Sequence, residues 1–208
     1  MQSVSYKLAE FFIIFICLPV SFAMDYPFVA KAFLAVFGFG YVVFVLIKIE
    51  GKKFKISRDL QWKLFWKHVS IKLLVIAFMT ILYMCFTARD DLFRVVFSEP
   101  KLWVVILFLY ATFSVYPQEL IYRTMFFQRY QSLFKSRSLF IFVNAIVFSM
   151  AHIFYKNPLV SLMTFLGGIL FALTYERTKS TLLVSIEHTI YGCWLFTVGM
   201  GEMLGFPG

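Results

Sequence analysis

Apolar residues run along this chain in blocks of bilayer length, separated by short polar and basic stretches rather than alternating with them. A hydrocarbon core of about 30 Å takes roughly 20 apolar residues of helix to cross. Seven blocks approach that length: Leu8 to Met24, Pro27 to Ile49, Val69 to Phe86, Leu102 to Gln128, Ser138 to Tyr155, Pro158 to Glu176 and Thr181 to Met200. The pattern predicts an all-α, polytopic membrane bundle of about seven transmembrane helices in a single membrane domain over residues 1–208. The first block lacks a basic leader and a small-residue cleavage site, so it reads as a span rather than a signal peptide.

Details within the blocks predict how they join and pack. Asp25-Tyr26-Pro27 joins the first two spans into a hairpin, with Pro suited to a helix start. Gly38 and Gly40 in the second span, and Gly167-Gly168 in the sixth, read as points where another helix approaches closely. The fourth block amounts to about 40 Å of helix, which must tilt or kink. Pro117 supplies a cause, because it removes one backbone donor and disturbs the preceding turn.

Composition and charge then sharpen the picture. The chain is 61% hydrophobic and 15% charged, with 28 Phe among 208 residues and a mean hydropathy of +0.82, which excludes an ordinary soluble domain. The formal net charge of +9 does not call for nucleic acid, because the basic residues lie between apolar blocks. Lys48, Lys52, Lys53, Lys55, Arg58, Lys63 and Lys67, with Trp62 and Trp66 interleaved, form a basic connection over Lys48 to His68 that reads as a lipid-facing loop with interfacial anchors. His68 reads as interfacial. Arg129, Lys135 and Arg137 mark a second basic loop, and Arg177 and Lys179 a third. All three fall on one side, whereas Asp25, the charge-balanced Ala88 to Lys101 loop and Lys156 fall on the other. The positive-inside rule then puts the N terminus in the cytoplasm and the C terminus opposite, with a bacterial inner membrane as the expected location. Cys17, Cys85 and Cys193 are widely spaced in apolar runs and read as packing residues.

The chemistry lies in polar residues inside the later spans. Val115 to Tyr130 places Gln118, Glu119 and Arg123 in apolar sequence, and Glu119 and Arg123, four apart, share one helix face. Span five carries Asn144 and Phe148-Ser-Met-Ala-His152; span seven carries Glu187, His188, Tyr191 and Gly192. Ionisable groups are costly in hydrocarbon unless they converge or face water. Counted from the basic loops, Glu119, His152 and His188 lie at depths of about 12 to 23 Å, which predicts one cytoplasm-facing cavity. Two chemistries fit. Glu and His can hold and deprotonate a water while the second His donates to the oxyanion of a tetrahedral intermediate. Alternatively, Glu119, His152 and His188 are a three-ligand set for zinc with an open fourth position, although the local H-E-x-x-H spacing is absent.

Gln118-Glu119-Leu-Ile-Tyr-Arg123, Phe148-Ser-Met-Ala-His152 and His188-Thr-Ile-Tyr-Gly192 together resemble the three motifs of the CAAX protease and bacteriocin-processing (CPBP) family of intramembrane glutamic endopeptidases. The resemblance covers about Leu102 to Met200, making 102–200 a CPBP-like catalytic core and 1–101 a set of N-terminal transmembrane helices. It implies a helical membrane protease that hydrolyses a peptide bond in a membrane-associated peptide or protein, within the lipid bilayer and without a cofactor. It further implies that Glu and the His of motif two activate water, and that the His of motif three, with an Asn or Asp, forms the oxyanion hole.

Two positions depart from the family pattern. Gln118 stands where the first Glu is expected, and an amide accepts no proton at neutral pH. Gly192 stands where motif three has Asn or Asp. Three readings fit: Glu119 or Glu187 is the base of a variant enzyme, the chain is a pseudoprotease that binds a peptide or partner in an immunity-type role, or Gln118 is an engineered substitution. The first is preferred because both His, Glu119 and Arg123 remain. Tyr122, Tyr191 and Asn144 are secondary candidates to replace the missing donor. A transporter is a third functional class, disfavoured because no inverted repeat is evident.

Overall fold

The computed structural model describes residues 3–51 and 61–205. Among them no strand forms, and seven helices are long and apolar enough to cross a membrane: α1 (Val4–Phe22), α2 (Phe28–Ile49), α3 (Trp62–Thr87), α4 (Pro100–Leu133), α5 (Arg137–Tyr155), α6 (Pro158–Thr178) and α7 (Thr181–Val198). The protein is an all-helical, multi-pass integral membrane protein, as the apolar blocks predict.

Helix starts are fixed by side chains that accept from backbone N–H groups lacking an intrahelical partner. Ser3 accepts from the Tyr6 amide at 3.2 Å, Ser136 from Leu139 at 3.3 Å and Ser180 from Leu183 at 3.3 Å. Asn157 Oδ1 accepts from Leu159 at 2.9 Å, ahead of α6. Pro27 precedes α2 as the hairpin reading requires. At the end of α7, Gly199 has φ 104°, and a Cβ there would lie 2.2 Å from the Asp91 carbonyl oxygen. Only glycine meets both conditions.

Burial is inverted relative to a water-soluble protein. Phe28, Phe86 and Phe97 are 81–82% exposed, while the largest fully buried side chains include Arg123, Arg129, Glu119 and Glu187. Apolar side chains facing lipid cost nothing there, whereas charges are tolerated only where protein surrounds them. Cys17 and Cys85 are free and exposed, and Cys193 is free and half-buried.

The chain divides into two units, Met1–Lys55 with Pro117–Arg177, and Ile56–Tyr116 with Thr178–Gly208. In the first, an aromatic core joins α1, α4 and α5: Phe15 lies 5.5 Å from Tyr122 and 5.3 Å from Phe126, and Phe126 lies 5.0 Å from Phe140 between ring centroids. Gly168 of α6 makes the close approach expected of it, since a Cβ there would sit 2.9 Å from Ala145 Cα on α5. Gly38 meets Leu18 at 3.3 Å. Among the described residues the same expectation fails at Gly40, where nothing lies within 4 Å, and at Gly167, whose three nearest atoms all belong to Phe171 of its own helix.

Arg129 corrects the loop assignment. It is 1% exposed inside α4, and its guanidinium binds Glu10 of α1, with Nη2 donating to Oε1 at 2.9 Å, and Glu50 at 2.8 Å. Tyr130 donates to Glu10 at 2.8 Å and Tyr41 donates to it as well. A basic residue near a span end reads as loop by charge, but here a carboxylate 119 positions earlier neutralises it inside the protein.

In the second unit α3 packs on α7. Trp194 Nε1 donates to Thr80 Oγ1 at 2.9 Å, and Trp103 Nε1 of α4 donates to Thr197 Oγ1 at 3.1 Å. α3 begins at Trp62, so Trp62, Lys63, Trp66, Lys67 and His68 occupy its first turns rather than a connection. Trp62 and Trp66 are exposed and stacked at 6.5 Å, as interfacial anchors would be. Lys52, Lys53, Lys55 and Arg58 of the basic connection lie outside the described residues.

Candidate active site

α4 runs unbroken through Pro117, but its hydrogen bonding widens to π-helical spacing over Tyr110–Val115 and again over Leu120–Met125, with Tyr116–Glu119 between. The expected disturbance at Pro117 therefore takes the form of two inserted turns. Each changes the direction in which later side chains point, and such turns are frequent at functional sites. In the second, the Phe126 amide bonds to the Ile121 and Arg123 carbonyls and passes over Tyr122. The Tyr122 carbonyl instead accepts from Asn144 Nδ2 of α5 at 2.6 Å and from Arg123 Nη1 at 3.3 Å.

Within the first unit, Gln118 is half-buried, and Glu119 and Arg123 are both 0% exposed. Arg123 Nε lies 3.4 Å from Glu119 Oε2. The guanidinium also sits over the Phe148 ring, 4.5 Å from its centroid, and 5.7 Å from that of Phe171. This aromatic box favours a cation over neutral alternatives and holds the guanidinium beside Glu119. Phe148 also holds the imidazole of His152. Its carbonyl oxygen lies 2.9 Å from His152 Nδ1, and the two rings are 5.0 Å apart. A carbonyl only accepts, so neutral His152 carries its proton on Nδ1 and presents Nε2 as the basic nitrogen. His152 stands where α5 ends its α-helical run at Met150, half-buried rather than sealed.

Within the second unit, α7 carries the other residues. Glu187 is 0% exposed; its Oε1 accepts from Lys72 Nζ of α3 at 2.5 Å and from Tyr191 OH at 2.9 Å. Its Oε2 has no hydrogen-bond partner among the described residues. Tyr191 OH also lies 3.3 Å from the Val69 carbonyl. His188 is 6% exposed, with the Tyr110 ring edge-on at 6.0 Å. A Cβ at Gly192 would meet the Tyr110 hydroxyl at 2.0 Å.

The structure thus brings Gln118, Glu119, Tyr122, Arg123, Asn144 and His152 together in one unit, and Glu187, His188, Tyr191 and Gly192 in the other. Neither unit alone groups three His, Cys, Asp or Glu side chains able to hold a metal ion among the described residues. Three polar partners escaped the sequence reading. Glu10 and Lys72 are lone charges in their spans, and lone charges in hydrocarbon demand a counter-ion elsewhere. Tyr110 sits at the end of an unbroken apolar run, with only its hydroxyl as a signal.

The later spans of this multi-pass helical protein carry buried carboxylates and two imidazoles, and its three motifs resemble those of the CPBP class. Residues 100–194, which hold every one of those motif residues, match the family described as type II CAAX prenyl endopeptidase Rce1-like. The match supports a CAAX-type intramembrane protease, a membrane peptidase whose substrate is a membrane-embedded peptide or protein. No curated protein and no solved structure matches the chain.

Proposed function

We propose that the chain is an endopeptidase that hydrolyses a peptide bond of a membrane-associated substrate with a water activated by Glu119 and His152. Glu119 takes a proton from the water as its oxygen adds to the carbonyl carbon; His188 donates to the resulting oxyanion. Collapse of the intermediate breaks the C–N bond, and the proton held by the Glu119–His152 pair passes to the departing amine. Arg123 keeps Glu119 oriented. Lys72 and Tyr191 occupy one oxygen of Glu187, which suits that carboxylate to anchoring α7 rather than to proton transfer. No resident cofactor is needed in this scheme, and the N terminus is assigned to the cytoplasm.

The observation that carries the proposal is the Phe148 connection inside the family-matched stretch. One residue supplies the ring that boxes Arg123 and the carbonyl that sets the tautomer of His152. Purified protein in liposomes, offered a membrane-tethered peptide library, is expected to cleave, and Glu119→Ala, His152→Ala and His188→Ala to lose cleavage. Full activity in both His variants would refute the scheme. Cleavage abolished by chelators would instead favour the zinc reading, with Glu119, His152 and His188 as ligands.

A second reading is favoured by Gln118, which offers an amide where a carboxylate is expected. A pseudoprotease would bind the same peptides without turnover, in an immunity-type role.

A further inference from the structure

His188 and residue 192 lie one helical turn apart on the same face of α7. At 192 that face has no side chain, and the vacant direction is filled from α4. A Cβ at Gly192 would lie 2.0 Å from the Tyr110 hydroxyl oxygen, 2.3 Å from Cε1 and 2.4 Å from Cζ. These distances are far inside van der Waals contact, so Gly192 is the only residue that leaves the phenol where it stands. Two further contacts fix the Tyr110 ring. It packs edge-on against His188 at 6.0 Å and against Phe196 at 4.9 Å between centroids. Tyr110 also opens the first π-helical turn of α4.

The packing therefore delivers a hydroxyl from α4 to the place on α7 that a side chain at 192 would occupy, one turn beyond His188. A phenol is a neutral O–H donor. We infer that Tyr110 is a catalytic residue that donates, together with His188, to the oxyanion of the tetrahedral intermediate, and that Gly192 exists to admit it. The inference rests on the peptidase reading given above. It assigns a role to a residue outside all three motifs and turns Gly192 from a lost donor into the space for a replacement.

The test separates the hydroxyl from the ring. Tyr110→Phe retains the packing against His188 and Phe196 and removes only the donor. It is expected to lower kcat by about a hundred- to a thousandfold, the usual loss for one oxyanion donor, with KM and thermal unfolding unchanged. Tyr110→Ala combined with Gly192→Asn supplies an amide donor from α7 and is expected to recover at least tenfold over Tyr110→Ala alone. A peptidyl phosphinate, whose tetrahedral centre carries an anionic oxygen, provides a readout independent of turnover. Tyr110→Phe is expected to weaken its binding by a similar factor and to leave binding of the parent amide peptide unaltered.

Wild-type turnover in Tyr110→Phe, while Glu119→Ala and His188→Ala are inactive, overturns the Tyr110 role and leaves the peptidase reading standing. A wild-type protein that cleaves nothing but binds the phosphinate through Tyr110 and His188 supports the donor pair and removes the claim of turnover. Equal phosphinate affinity in wild type and Tyr110→Phe overturns the inference whatever the turnover.

Discussion

Arg123 and Glu119, one turn apart on α4 and both fully buried, form an ion pair with 3.4 Å between Nε and Oε2. The charges are held by more than each other, since Phe148 lies under the guanidinium. Truncating the cation leaves a fully buried carboxylate without this counter-charge, and breaking a buried pair from one side costs about 3–5 kcal/mol. Arg123→Ala is therefore expected to lower the unfolding temperature strongly and to abolish cleavage. Arg123→Lys, which keeps the charge and loses the planar fork, is expected to fold and to cleave poorly. Thermal unfolding in detergent and peptide cleavage measured side by side check both outcomes.

Lys72 and Glu187 predict a non-additive pair. Glu187 is completely buried whereas the Lys72 side chain is 25% exposed, so the carboxylate suffers more when its partner goes. Lys72→Met alone is expected to destabilise by about 3 kcal/mol, and Lys72→Met with Glu187→Gln by clearly less. A double-mutant cycle on unfolding free energies measures the difference. Additive losses would mean that the 2.5 Å contact carries no coupling.

Glycine contacts give a prediction of contrast. Gly168→Val places bulk against the α5 backbone at Ala145 and is expected to cost about 1–3 kcal/mol by overpacking. Gly40→Ala meets nothing within 4 Å and is expected to be neutral, or stabilising by up to about 1 kcal/mol through helix propensity. Unfolding temperatures of the two variants decide it.

These contrasts also mark what was legible in the sequence. The spans were readable because a bilayer imposes length and apolarity on every crossing segment, and α2, α5, α6 and α7 fall within two residues of the apolar blocks. Glu119, Arg123, His152 and His188 stood out because charge and imidazole are conspicuous in hydrocarbon. What could not be read was pairing at long range. Arg129 reads as loop charge in the sequence because the carboxylate that neutralises it, Glu10, lies 119 positions earlier, and Gly40 reads like Gly168 because a close approach depends on the neighbouring helix. Tyr110 shows the same limit. A residue that fills the space left by a glycine 82 positions later has no local signal, and the π-helical turn that it opens leaves no composition mark.

Gln118 tests how much of the proposed proton transfer rests on Glu119 alone. It is half-buried at the position before Glu119, where a carboxylate would add a second acceptor. General-base catalysis contributes about a hundred- to ten-thousandfold, so Gln118→Glu is expected to raise kcat by about tenfold or more. Steady-state cleavage of the tethered peptide is the measurement. An unchanged rate would mean that Glu119 already provides all the base the reaction uses.

In the proposed reaction Glu119 removes the proton from the attacking water. Glu119→Gln keeps the shape of the side chain but accepts no proton. Single-turnover cleavage of a membrane-tethered peptide in liposomes is predicted to slow by about a hundred- to ten-thousandfold in that variant, with peptide binding unchanged. Equal single-turnover rates in the variant and the wild-type protein would contradict it.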